Sequence, residues 1–131
     1  MTLDIPWTGT ITAITLFTEN LEETKAFYRR VFELPVFFEG DTSVVFKFGS
    51  TMINLLQIGQ ADELVSPAPV ASGQGGARAV YTLSVDDVDA RCAELETKGV
   101  TLLNGPMDRP WGIRTASFKD PAGNIWELAR S

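Results

Sequence analysis

From Thr10 to Thr18 the chain runs through β-branched and apolar residues, a pattern that predicts a strand. The period then changes. Asn20 is placed to cap a helix, with Glu23 three residues on to close a capping box. Leu21, Tyr28, Val31 and Phe32 form one apolar stripe, which carries that helix to about Phe32. Short alternating runs follow at Pro35 to Glu39, Thr42 to Phe48 and Thr51 to Gln57, separated by Gly40-Asp41 and Gly49-Ser50. Residues 58–76 are rich in Pro, Gly, Ser and Ala and predict a linker or mobile loop.

The same order then returns. Ala77 to Val85 predicts a strand, and Asp86-Asp87 opens a second helix that reaches Lys98, with Gly99 as its C′ residue. Val88, Cys92 and Leu95 share one face of that helix, so Cys92 is expected to be a packing residue. Strands are predicted near Val100 to Leu103, Ile113 to Lys119 and Ile125 to Ala129, with Asp120-Pro121-Ala122-Gly123 as a turn. ITLFTENLEET aligns on YTLSVDDVDAR at an offset of 67, which matches Asn20 with Asp87 and Ala13 with Val80. Strand-helix-strand-strand-strand, stated twice, leaves each half a sheet with one bare face.

Composition narrows the chemistry. At 131 residues, 44% of them hydrophobic, the chain has room for one domain with one core. A formal charge of −6 argues against nucleic acid or an anionic membrane as partner. No stretch is apolar enough to span a bilayer, the opening MTLDIPWTGT has no signal-peptide pattern, and the single Cys92 suits a reducing compartment, so a cytoplasmic protein is expected. The chain has no histidine, which removes Ser-His and Cys-His nucleophile systems and any His-based metal site.

Three stretches carry a family resemblance: AITLFTENLEETKAFYRRVFELPV, AVYTLSVDDVDARCAELETKGV and PWGIRTASFKDPAGNIWEL. Together they resemble the glyoxalase, bleomycin-resistance and extradiol-dioxygenase group, the vicinal oxygen chelate superfamily, over nearly the whole chain from Thr10, with PWGIR nearest the bleomycin-resistance-like branch. The resemblance implies an α+β fold in which two βαβββ half-repeats form a cupped, mostly antiparallel eight-stranded sheet with helices on its outer face. It also implies four metal-ligand positions, one on each of four strands. Here they fall on Ala13, Asn54, Val80 and Glu127. Alanine and valine cannot coordinate and a neutral Asn is a poor transition-metal ligand, so no metal and no other cofactor is expected.

Strand parity places Ile11, Ala13, Thr15 and Phe17 on one cavity wall with Met52, Asn54 and Leu56. Arg78, Val80, Thr82 and Ser84 are expected opposite, with Ile125, Glu127 and Ala129, while Ile14, Leu16, Tyr81 and Leu83 pack under the helices. The expected ligand-binding residues are Ala13, Asn54, Val80, Glu127, Arg78, Trp111, Arg114, Phe46 and Met52. Glu127 either pairs with Arg78 or Arg114 or meets a ligand, and Trp111 offers a stacking face that Phe37, Phe38, Phe46 and Phe48 extend, or else these phenylalanines belong to the core. Such a cleft suits sequestration of a small molecule, cationic or aromatic, without turnover. The alternative is a lyase, isomerase or dioxygenase-type enzyme with Glu127 as general base. By analogy with the resembled branch, a homodimer with clefts between its subunits is expected.

Overall fold

The computed structural model describes residues 9–130; the signal-peptide reading concerns opening residues that mostly lie outside them. The first half contains β1 (Ala13–Thr18), α1 (Leu21–Phe32), β2 (Phe38–Glu39), β3 (Ser43–Phe48) and β4 (Thr51–Gln57). A 3-10 turn (Ile58–Gln60) and the short α2 (Asp62–Val65) lead out of it. The second half contains β5 (Val80–Ser84), α3 (Val88–Thr97), β6 (Leu102–Asp108), β7 (Arg114–Lys119) and β8 (Ile125–Arg130). The fold is therefore α+β and twofold repeated, as the sequence predicts. No helix among the described residues is long and apolar enough to cross a membrane.

The eight strands divide into two four-stranded sheets, β1-β4-β3-β2 and β5-β8-β7-β6. Each has one parallel pair, β1 with β4 and β5 with β8, and is otherwise antiparallel. The helix caps repeat at the same offset as the sequence. Asn20 Oδ1 accepts from the Glu23 amide at 3.1 Å, and Asp87 Oδ1 from the Ala90 amide at 3.0 Å. The capping box is only half made, because the Asn20 amide donates to Thr18 Oγ1 rather than to Glu23. Three boundaries also differ from expectation. β2 keeps only the residues that face Val44 and Val45. β6 runs past Gly105-Pro106 to Asp108, its register shifts absorbing the break. The 58–76 segment is not wholly irregular, since α2 follows a fully buried Ala61.

One core holds both halves. Leu16, Val44, Phe46, Ile53 and Leu55 enter it from the first sheet, and Phe118, Trp126 and Leu128 from the second. Phe27 and Tyr28 of α1 lie between them, and the Trp126 ring stacks on Phe48 with centroids 5.0 Å apart. The Tyr28 hydroxyl donates to Asp120 Oδ2 at 2.7 Å and accepts from Trp126 Nε1 at 3.0 Å, so the helix of one half is bonded to the β7–β8 turn of the other. Because both sheets give their helix-side residues to this core, their helix-free faces look away from it. That arrangement decides where chemistry can sit.

Candidate functional site

On the helix-free face of the first sheet, Ala13 lies opposite Met52 and Thr15 opposite Asn54. The Asn54 amide donates to Thr15 Oγ1 at 3.3 Å. The second sheet repeats the pair one half-repeat later: Val80 lies opposite Ile125, Thr82 opposite Glu127, and the Thr82 hydroxyl donates to Glu127 Oε1 at 2.9 Å. Each half thus sets a threonine against the amide or carboxylate of the neighbouring strand. Val80 is 53% exposed on this face.

The polar row on the second sheet continues. Ser117 of β7 faces Glu127 on one side and Asn104 of β6 on the other. Its hydroxyl is buried and has no hydrogen-bond partner among the described residues, an unusual state for a buried polar atom. Two residues along β7, Thr115 Oγ1 accepts from Arg109 Nε at 2.8 Å, and Arg109 Nη2 donates to Asn104 Oδ1 at 3.1 Å. The indole of Trp111, 67% exposed, lies 5.9 Å from the Arg109 guanidinium carbon. The Glu127 carboxylate, the buried Thr115 and Ser117 hydroxyls and the Arg109 guanidinium therefore share one sheet face, and the Trp111 indole adjoins it through Arg109.

Three expected ligand-binding residues, Phe46, Arg114 and Arg78, lie elsewhere. Phe46 is fully buried and stacks on Tyr28 at 5.6 Å, because β3 alternates Val44, Phe46 and Phe48 toward α1 with Ser43, Val45 and Lys47 away from it. Arg114 falls on the same side of β7 as Ala116 and Phe118, which puts it under α3. There it makes a two-pronged bond to Asp89, both contacts 2.8 Å, and another to Asp108 at 3.1 Å. The bond holds the Asp89 carboxyl below its ordinary range and raises Arg114. Neither Arg114 nor Arg78 pairs with Glu127; Arg78 is exposed and lines a small cleft with Ser72, Tyr81 and Ala122. Phe48 is core, Phe37 and Phe38 are exposed, and Cys92 is a buried thiol whose pKa is raised by burial.

Arg109, Thr115 and Ser117 were not singled out from the sequence. The signal that could have found them is the parity of RTASFK, whose threonine and serine alternate with Ala116 and Phe118, and the cation placed just before the Pro-Trp-Gly turn.

A sequence profile of the Glyoxalase/Bleomycin resistance protein/Dioxygenase superfamily matches residues 10–128. The chain belongs to this superfamily. A Bacillus subtilis (strain 168) member, the uncharacterized protein YraH, is 30% identical over 119 residues, covering 88% of this chain and 93% of its own. The crystal structure of a lactoylglutathione lyase from Agrobacterium tumefaciens is similar with a TM-score of 0.76 and 25% identity, over 95% of each chain. A glyoxalase/bleomycin resistance protein/dioxygenase from Nocardioides reaches a TM-score of 0.85 at 21% identity, over 97% of this chain and 86% of its own, and shares the fold.

The metal implied by the superfamily does not fit the residues present. Of the four expected ligand positions, Ala13 and Val80 end in alkyl groups, and Asn54 offers only a neutral amide oxygen, a poor ligand for a transition metal. Among the described residues no three His, Cys, Asp or Glu side chains come together to hold an ion. What the face can do chemically is accept hydrogen bonds at Glu127 and donate them from Arg109. With a neutral hydroxyl rather than an arginine beside it, Glu127→Gln should move the melting temperature of the empty protein by no more than a few degrees. A large loss in a thermal melt would show that Glu127 holds the fold together.

Proposed function

We propose that the chain is a metal-independent small-molecule binding protein, acting as a homodimer in which a second copy covers the helix-free faces around Glu127. The observation that carries this reading is the apolar surface those faces leave in the open. Val80, Leu103 and Met107 are exposed on the second sheet, Ile11 and Phe38 on the first. Val80 on β5 and Met107 on β6 stand at the two edges of one sheet, and Ile11 beside β1 and Phe38 on β2 at the two edges of the other, so a partner that covers them also covers the polar row between. A second copy would turn two open sheets into closed clefts, each with a carboxylate or amide at its centre. A net charge of −6 and the free oxygen of Glu127 suit a ligand with a cationic or aromatic part. The buried free thiol of Cys92 is compatible with a cytoplasmic setting.

Light scattering at micromolar concentration should give twice the 14.3 kDa chain mass. A stable monomer that still binds ligand would overturn the dimeric arrangement. The similarity to the Agrobacterium tumefaciens lyase favours a second reading, in which Glu127 removes a proton from a bound substrate. Turnover of a bound ligand that is lost in Glu127→Gln would establish it.

A further inference from the structure

Among the described residues Arg109, like several other cations, makes no ion pair; what sets it apart is that it is fixed on the sheet face beside Glu127. It is half-buried and held in place by two neutral oxygens, those of Thr115 and Asn104. Of the five N–H donors of a guanidinium, two are used, so the rest, and the charge, are left for a partner. Ser117 lies among Thr115, Asn104 and Glu127, and its buried hydroxyl is the one left without a hydrogen bond. The unmet guanidinium donors and the free oxygen of Glu127 stand on one sheet face with Ser117 between them, and the space above that face is the one a second copy would close.

Resting on the binding reading above, we infer that this space takes a small zwitterion, its carboxylate on Arg109, its ammonium on Glu127 and an aromatic or apolar group against Trp111. Thr115 and Glu127 are diagonal neighbours on one face, and such neighbours are about 7–8 Å apart. A ligand with one or two carbons between its own charges, and a charge-assisted hydrogen bond of about 2.8 Å at each end, spans a distance of that order. A guanidinium matches a carboxylate in a two-pronged geometry that an ammonium cannot offer, which makes Arg109 the specificity-determining residue.

The test uses three probes that differ by one group: L-phenylalanine, phenethylamine without the carboxylate, and 3-phenylpropionate without the ammonium. In calorimetric titrations of the full chain, phenylalanine should bind at least about tenfold more tightly than either. Arg109→Gln should bring phenylalanine down to the affinity of phenethylamine and leave phenethylamine unchanged, which also shows that the variant is folded. Arg109→Lys should fall between, and Glu127→Gln should bring phenylalanine down to 3-phenylpropionate. If phenethylamine binds as tightly as phenylalanine, depends on Glu127 and ignores Arg109, the carboxylate subsite is refuted and the binding function stands. If none of the three binds at millimolar concentration, the zwitterion inference fails; the loss of both the closed dimer and all ligand binding would bring down the underlying reading as well.

Discussion

Asp120→Ala is expected to cost about 3–5 kcal/mol, and to lower the melting temperature by roughly 10 °C or more, although the residue sits in a turn between strands. Asp120 is 4% exposed. Its carboxylate accepts the Tyr28 hydroxyl at 2.7 Å and, at 2.9 Å each, the amides of Ala122 and Asn124 and the side chain of Asn124. Removing it strands a buried phenol and unmakes the turn together. Tyr28→Phe removes only one of these bonds and should cost about 1 kcal/mol. A melt of Asp120→Ala within three degrees of wild type would show that the turn holds without its carboxylate.

The same contact has an alkaline signature. Burial first, and the Asp120 charge second, raise the Tyr28 phenol well above its ordinary value of 10.0. A group raised in the folded state contributes stability that is fully present below its unfolded pKa and is lost as pH climbs from there toward the folded value. Stability should therefore decline above about pH 10. In Tyr28→Phe that part of the decline should disappear.

Gly105→Ala is expected to cost about 3 kcal/mol or more, from two sources. The residue holds φ at 83°, where an L side chain costs about 1–2 kcal/mol. An added Cβ would also meet the Thr115 carbonyl oxygen at 2.4 Å and the Ala116 Cα at 2.7 Å, both backbone atoms that cannot swing aside. Overpacking of this kind costs about 1–3 kcal/mol more. Gly112→Ala is the control: φ is 95°, but nothing among the described residues lies within 4 Å of the new carbon, so only the first cost applies. Equal melts for the two variants would show that β6 can back away from β7. Since Thr115 also anchors Arg109, the Gly105 variant should weaken any ligand that uses the guanidinium.

The elements of this fold were legible because local chemistry states them. Asn20 and Asp87 cap helices at the same offset as the repeat, Gly99 ends α3 with φ at 79°, and Asp120 to Gly123 turns between strands. The wall of the site was legible on β8, where Trp126 and Leu128 against Glu127 and Ala129 leave little doubt about the two sides. It was not legible on β7. Thr115 and Ser117 alternate there with Ala116 and Phe118, but both faces are buried, and a charged Arg114 heading the apolar set does not by its nature point under α3. Phe46 misled for another reason, since a large apolar ring suits a ligand cleft and a core equally and only the direction of the strand separates them. Arg109 precedes a turn, outside any strand whose parity could place it.

The split between helix-side and helix-free residues has a consequence for how such a protein diversifies. On β8 the codons for Trp126 and Leu128 specify what holds the chain together, and those beside them, for Glu127 and Ala129, specify the helix-free face it presents. Recognition can then drift by single replacements while the packing on the reverse of the same strand stays as it was. A lineage built on this plan can try new chemistry without first acquiring spare stability.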